Sequence, residues 1–268
     1  MTQQAISDID NPLTLFADSI KSIPLKIGAP SFVFPAGYAA NVELLGGIFD
    51  EIQLLILEPL ESSPLDDNEL SELVRLKNNG VTYSVHLPVP SGIAHKNENG
   101  VKSVINIIKT FMPIGVENFV LHVENSADTS EPGLAARMIS KILEITGVEP
   151  EMICVENLHT GFEEVWENVE STGASICFDA GHLLFKGGDP IEFIDRYGDR
   201  IRMAHIHGTD VKDHRPLNGM PEGMLEKILQ MFIDIKLPCA VIIENYSVDE
   251  MTQSLRCLCD AAGKLGAE

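Results

Sequence analysis

The sequence predicts a closed barrel of eight alternating β-strands and α-helices, (β/α)8. Eight short apolar runs alternate with longer helix-patterned stretches along the chain. The runs read as nearly continuous Val, Ile and Leu, the pattern of strands buried on both faces. Alternation of this kind predicts right-handed crossovers and a parallel sheet, and about 250 residues is the usual size of such a barrel. A doubly wound open sheet is the structural alternative. Its phosphate fingerprint, Gly-x-Gly-x-x-Gly after the first strand, is missing.

The elements follow in order. Residues 1–23 precede the first strand and read as a short helical or loose extension. Residues 24–268 read as one barrel domain, with no internal repeat or linker that divides it. The strands are expected at 25–34, 51–58, 81–89, 117–125, 152–158, 175–182, 201–208 and 239–245. Between them, "DDNELSELVRLKNNG" and "GLAARMISKILEITG" repeat apolar residues at three- and four-residue spacing. Both end in Gly, a usual helix C-cap. "HKNENG" (95–100) reads as a polar loop after the third strand.

Composition bounds the function. At 268 residues and 44% hydrophobic, the chain is able to bury a large core, and with aromatics at 6% aliphatic side chains must fill it. No apolar run reaches the roughly 18 residues of a membrane span. "MTQQAISDID" lacks the basic flank and apolar stretch of a signal peptide. A soluble, cytoplasmic protein is expected. Cys154, Cys177, Cys239, Cys257 and Cys259 make an odd count that does not suggest a disulfide framework. The formal net charge of -21 repels a phosphate backbone, and no basic stripe is visible, so DNA and RNA are not expected as substrates.

Polar residues collect at the strand ends. His86, His122, His182, His205 and His207 lie in the last residues of a strand run or just past it. His214 follows in the loop after the seventh strand, and His159 in the loop after the fifth. Glu58, Glu124, Glu156, Asp179 and Glu244 stand at the same level of strands two, four, five, six and eight. In a parallel barrel these ends meet on one face, where barrel active sites are built. Packed carboxylates raise each other's pKa. A divalent metal such as zinc or manganese resolves that conflict, and imidazoles and carboxylates are its ligands. Any one such His or Glu is more often a satisfied polar group, and the coincidence across six strands is what points to a metal site. His95 and His159 read as surface residues, and Trp166 in "GFEEVWENVE" reads as packing.

At these residues the sequence resembles the xylose isomerase-like barrel superfamily, which includes sugar epimerases and endonuclease IV-type phosphodiesterases. The shared pattern is Glu156 in "CVENL", Asp179 and His182 in "FDAGH", His207 in "HIHGTD" and Glu244 in "IIENY". The resemblance implies Glu156, Asp179, His207 and Glu244 as ligands of a principal ion. His86 in "VHLP" and His122 in "LHVEN" resemble the additions of the multinuclear phosphodiesterase branch. With His182 they are implied to complete a second position. That branch carries Asp-x-His after strand seven. Here Asp213 is adjacent to His214 in "KDHRPLNG", so one or two ions are expected rather than three.

A narrower likeness, carried by "APSFVFP", "DEIQLLILE", "YSVHLPV" and "FDAGHLLFKG", is to the cobamide-remodelling phosphodiesterase family. It implies hydrolysis of the phosphoribosyl linkage in the nucleotide loop of a corrinoid, a small-molecule substrate. Two cations serve to activate water and stabilise the leaving oxygen. Glu156 or Glu244 then accepts the water's proton, with His182 beside them. His214 and Arg215 are expected to reach the phosphate, Arg because its planar fork pairs two oxygens. Ser31 and Glu58 are expected to line the pocket, and His205 to orient a ligand from behind. The alternative enzyme is a sugar or sugar-phosphate isomerase or epimerase using one ion. A non-catalytic carrier barrel is the remaining reading.

Overall fold

The strands close in chain order. In the computed structural model, which describes residues 11–56, 65–89, 98–123, 133–158 and 161–265, they are β1 (Lys26–Pro30), β2 (Glu51–Leu55), β3 (Thr82–His86), β4 (Asn118–Leu121), β5 (Ile153–Glu156), β6 (Ser175–Asp179), β7 (Ile201–Ile206) and β8 (Ala240–Ile243). Each pairs in parallel with the next, and β8 returns to β1. The expected (β/α)8 barrel is the observed fold. The expected runs overshoot the observed strands by a few residues, because their polar tails leave the ladder at the barrel mouth. The run 175–182 shows this most clearly. Its strand ends at Asp179, and a helix starts at the next residue.

The helices are α1 (Ala17–Lys21), α2 (Tyr38–Leu45), α3 (Asp67–Lys77), α4 (Glu98–Phe111), α5 (Leu134–Thr146), α6 (Phe162–Val169), α7 (Ala180–Phe185), α8 (Pro190–Tyr197), α9 (Met224–Asp234) and α10 (Val248–Ala262). Their starts are chemically marked. Asp66, Asp179, Asp189 and Ser247 accept from backbone N–H groups of the following turn. Gly147 ends α5 with φ +67°, the expected C-cap. Within the extension at 1–23, residues 12–16 form a 3-10 helix leading into α1, and Leu13 and Ile20 are fully buried. Trp166 is buried on α6 beside Phe162, so it packs as expected.

Continuous apolar strands are explained by two burial layers. Ile27, Ile52, Val85, Phe119, Val155, Phe178 and Val241 face the helices. The alternate residues, Val120, Cys154, Cys177, Met203, Ala240 and Ile242, form a separate cluster filling the barrel interior. All five cysteines are free thiols. A side chain at position 28 would stand 2.4 Å from the tip of Ile242, so Gly28 lets β1 close the barrel.

An ionisable residue at the base of the barrel breaks the apolar rule. Glu51 begins β2 with 1% exposure, and its Oε1 has no hydrogen-bond partner among the described residues. Burial pushes its carboxyl up from 4.5 to about 7. A raised folded-state pKa means that folding favours the protonated form. The group therefore costs stability increasingly as pH rises from 4.5 to about 7, and the cost is constant above that. Glu51→Gln is expected to gain about 3 kcal/mol at pH 8 relative to its effect at pH 4. Urea denaturation at the two pH values measures it, and an equal effect at both would refute the assignment.

Candidate metal centre

Strands β3 to β8 each deliver a polar residue at the carboxyl end of the barrel. His86 ends β3, Glu156 ends β5, and Asp179 ends β6. His205 lies in β7, whereas His122, His207 and Glu244 stand just beyond β4, β7 and β8. Glu156, Asp179, His205, His207 and Glu244 are 2% exposed or less.

Glu156 is surrounded. His122 Nε2 lies 2.5 Å and His86 Nε2 3.4 Å from its Oε2. His205 Nδ1 at 3.2 Å and His182 Nδ1 at 3.5 Å face its Oε1. Burial alone would raise the Glu156 carboxyl, but the imidazoles of His122 and His205 outweigh it and hold the group well below the usual range. His205 also faces Glu244 Oε1 at 3.5 Å and Asp179 Oδ2 at 3.8 Å. Burial opposes its charge, yet Glu244 and Glu156 push it up to about 9. From the interior side the Gln53 amide lies 3.0 Å from His205 Nε2.

Helix α7 starts at the site. Asp179 accepts from His182 N–H through Oδ1 at 2.7 Å, which turns His182 back toward the mouth. His182 Nδ1 then lies 3.4 Å from Asp179 Oδ2. Between them, Gly181 is required. A Cβ there would stand 2.0–2.4 Å from three atoms of the His207 ring. His207 Nε2 faces Asp179 Oδ1 at 3.2 Å, and its Nδ1 accepts from His214 N–H at 2.9 Å. His214 adopts φ +53°, a left-handed conformation that a β-carbon disfavours. Its Nε2 lies 3.3 Å from Glu244 Oε2. Burial works against its charge, but the bond to Glu244 raises it to about 9.

Two asparagines hold this arrangement. Asn157 binds the backbone of Asp179 at both N–H and C=O, at 2.7 and 2.8 Å. Asn245 donates to the carbonyls of His214 and Arg215 at 3.3 and 3.2 Å. Each follows the glutamate that enters the site. The repeated Glu-Asn in "VENL" and "IENY" was the available signal for them.

The donor set suits divalent cations. Ligand atoms fall into groups within 4.8 Å of one another: His86–His122–Glu156, Glu156–Asp179–His205–Glu244, and His182–His207–His214. Two ligands of one tetrahedral zinc, each about 2.0–2.1 Å from the ion, stand roughly 3.4 Å apart. Most separations above are of that size and long for hydrogen bonds. Among the described residues, Asp179 Oδ2, His182 Nδ1 and His207 Nε2 are buried without a hydrogen-bond partner. His86 gives the same signal differently. Its Nδ1 lies 2.9 Å from Leu87 O, which leaves Nε2 toward the site.

The expected quartet is rearranged. His205, expected behind the ligands, stands among the three carboxylates, and His207 groups with His182 and His214. The reason is depth. His205 is still inside the strand, where the carboxylates converge, while His207 has passed its end. Ser31 and Arg215 are not brought to the cavity. Ser31 Oγ accepts from Leu55 N–H at 3.1 Å. Arg215 faces Asp210 at 3.3 Å and Glu250 at 3.5 Å. Glu58, Glu124, His95 and His159 lie outside the described residues. A cavity of about 500 Å³ opens over the site and is lined by His86, His122, Glu156, His182, His214 and Glu244. Asp213, Tyr246 and Lys186 also line it, unforeseen in those roles.

The fold and this ring of donors define a class. Residues 40–261 match the family model described as xylose isomerase-like TIM barrel, and the chain belongs to that family. Solved structures agree on the fold. A D-tagatose 3-epimerase-like protein superposes with a TM-score of 0.72 at 20% identity, covering 91% of this chain and 99% of that one. Endonuclease IV from Thermus thermophilus superposes with a TM-score of 0.68 at 19% identity, covering 89% and 99%. An inosose dehydratase from Lacticaseibacillus casei is 40% identical over 72 residues, 23% of this chain. The chain spans about a quarter of that relative's length (24%). Among the described residues no helix is long and apolar enough to cross a membrane.

Metal uptake should compete with protons. His205 and His207 both have raised affinity for a proton, His205 up to about 9. Ligation requires the neutral imidazole. Affinity for zinc or manganese is therefore expected to climb with pH up to about 9, with proton release at pH 7.5. Calorimetry in buffers of different ionisation enthalpy measures the release, and its absence would remove these histidines from the ligand set. Gly181→Ala is expected to lose metal while keeping the barrel's circular dichroism. Unchanged metal content would show that His207 does not ligate.

Proposed function

We propose that this chain is a metal-dependent phosphodiesterase acting on a small organic phosphodiester. One observation carries the reading. Beyond the group Glu156–Asp179–His205–Glu244, a second donor group, His86–His122, shares Glu156 with it. One ion uses only one of these groups. Two adjoining donor groups would suit the paired ions of two-metal hydrolysis. Bound divalent cations would activate water and stabilise the leaving oxygen of the phosphoryl group.

The chain's own groups supply the rest. Glu244 is held ionised, by His205 and by the bond from His214, against the opposing effect of burial. It is placed to take the proton from the attacking water. His214, raised to about 9, carries a proton at neutral pH and lines the cavity. It is placed to give that proton to the departing oxygen as the P–O bond breaks. Burial lowers the His122 imidazole against the opposing pull of Glu156. The substrate class we favour is a corrinoid with its nucleotide loop, supported by the likeness of "FDAGHLLFKG" and "YSVHLPV" to the cobamide-remodelling family and by a charge of -21 that disfavours nucleic acid.

The second reading is a sugar or sugar-phosphate isomerase or epimerase. The group Glu156–Asp179–His205–Glu244 would suffice for it, with the two glutamates exchanging protons. The neighbours of similar fold are mostly sugar epimerases and isomerases, which supports this reading more than it supports a corrinoid substrate.

The test separates them. Purified protein, assayed for metal, is incubated with a cobamide and, separately, with ketoses and ketose phosphates, and products are read by mass spectrometry. The expected result is at least about one divalent ion per chain and hydrolysis of the cobamide. Glu156→Ala and Asp179→Ala should reduce turnover to background and lower metal content. Ketose isomerisation without hydrolysis would replace the first reading with the second.

A further inference from the structure

Lys186 has no role in the chemistry described so far. It follows α7 immediately, and its backbone N–H donates to His182 O at 3.1 Å. His182 and Lys186 are four residues apart, so they lie on the same face of that turn. That face is a ridge between two cavities. The larger, about 500 Å³, lies over the metal centre. The smaller, about 240 Å³, is walled by Phe162, Leu183, Phe193 and Tyr197. His182 and Lys186 line both.

Charge makes the position informative. Among the described residues lining the larger cavity, Lys186 is the sole Lys or Arg, against Glu156, Asp213 and Glu244. None of the ion pairs among the described residues uses it. Its ammonium stands 5.3 Å from the Phe185 ring centroid at the exposed end of the helix. Arg215, the cation the sequence suggests for a phosphate, is instead engaged by Asp210 and Glu250. Counted at full charge, Asp179 with the three lining carboxylates would balance two divalent ions. An anionic substrate then relies on the positive groups that remain at the cavity, where Lys186 stands beside His214.

We propose that Lys186 is the substrate-anion residue of this site. It meets a phosphoryl oxygen from the ridge, so that the two substituents of a diester fall into the two cavities. The inference rests on the phosphodiesterase reading and names a specificity residue within it. A Lys suits the task as a compact charge on a flexible stem.

Titration calorimetry of inorganic phosphate into the manganese-loaded protein tests it, comparing wild type with Lys186→Met and Lys186→Arg at matched metal content. Lys186→Met is expected to weaken phosphate binding at least about tenfold, the size of one charge-assisted contact, and Lys186→Arg to retain most of it. Equal affinity in Lys186→Met, or no phosphate binding by the wild type, would overturn the proposal. Turnover of bis(4-nitrophenyl) phosphate is measured alongside. Diester turnover with unchanged phosphate affinity rejects the role of Lys186 alone. Weakened phosphate binding without any diester turnover by the wild type rejects the phosphodiesterase reading and leaves the anion site standing.

Discussion

The burial of Glu156 is the constraint around which the mouth of this barrel is organised. A carboxylate at 2% exposure is costly unless charges or donors compensate it. Here four imidazoles from β3, β4, α7 and β7 turn toward it. The cluster is therefore not a set of independent choices. Each histidine is held in part by the carboxylate, and the carboxylate is tolerable because of the histidines. The charge states follow from the same exchange. Glu156 and Glu244 are held ionised, and His205 and His214 are pushed upward. A cation at this site would compete with those protons for donors that are already in place.

The scaffold's part is to fix depth. A parallel barrel delivers every strand end to one face, and a one-residue shift would turn the ligand away. Asn157 and Asn245 secure that register by binding backbone, Asn157 that of Asp179 in the neighbouring β6 and Asn245 that of His214 and Arg215 in the loop after β7. Gly181 performs the opposite service by leaving out a side chain where His207 must lie. His214 sits in a left-handed conformation at the same place, with its carbonyl held by Asn245. Strain of this kind persists where the surroundings over-determine it, which functional sites do.

The fold is shared with proteins of unlike chemistry, such as an epimerase-like protein and endonuclease IV. Fold alone therefore decides little about the reaction. In this chain the central group is flanked by further donors: His86 and His122 on one side, and His182, His207 and His214 on the other. A net charge of -21 repels a nucleic-acid backbone at long range.

Much of this was legible in the residues. Apolar runs spaced by amphipathic stretches determine a closed parallel barrel, because strands buried on both faces leave no polar alternation and helices must cover them. The strand-end positions of Glu156, Asp179, His182 and Glu244 were equally readable, since the barrel collects strand ends. Depth was not. His205 and His207 are two residues apart and equivalent in pattern, and only the closed mouth decides that His205 meets Glu156, Asp179 and Glu244 while His207 meets Asp179 and His214. Arg215 illustrates the same limit. Its charge was visible, but its pairing with Asp210 and Glu250 depends on how the loop folds back. Lys186 lay unremarked in "LLFKGG" because a lone lysine carries no signal until a helical turn sets it beside His182. Periodicity records which face a residue takes, whereas distances between side chains on different strands arise only when the ring closes.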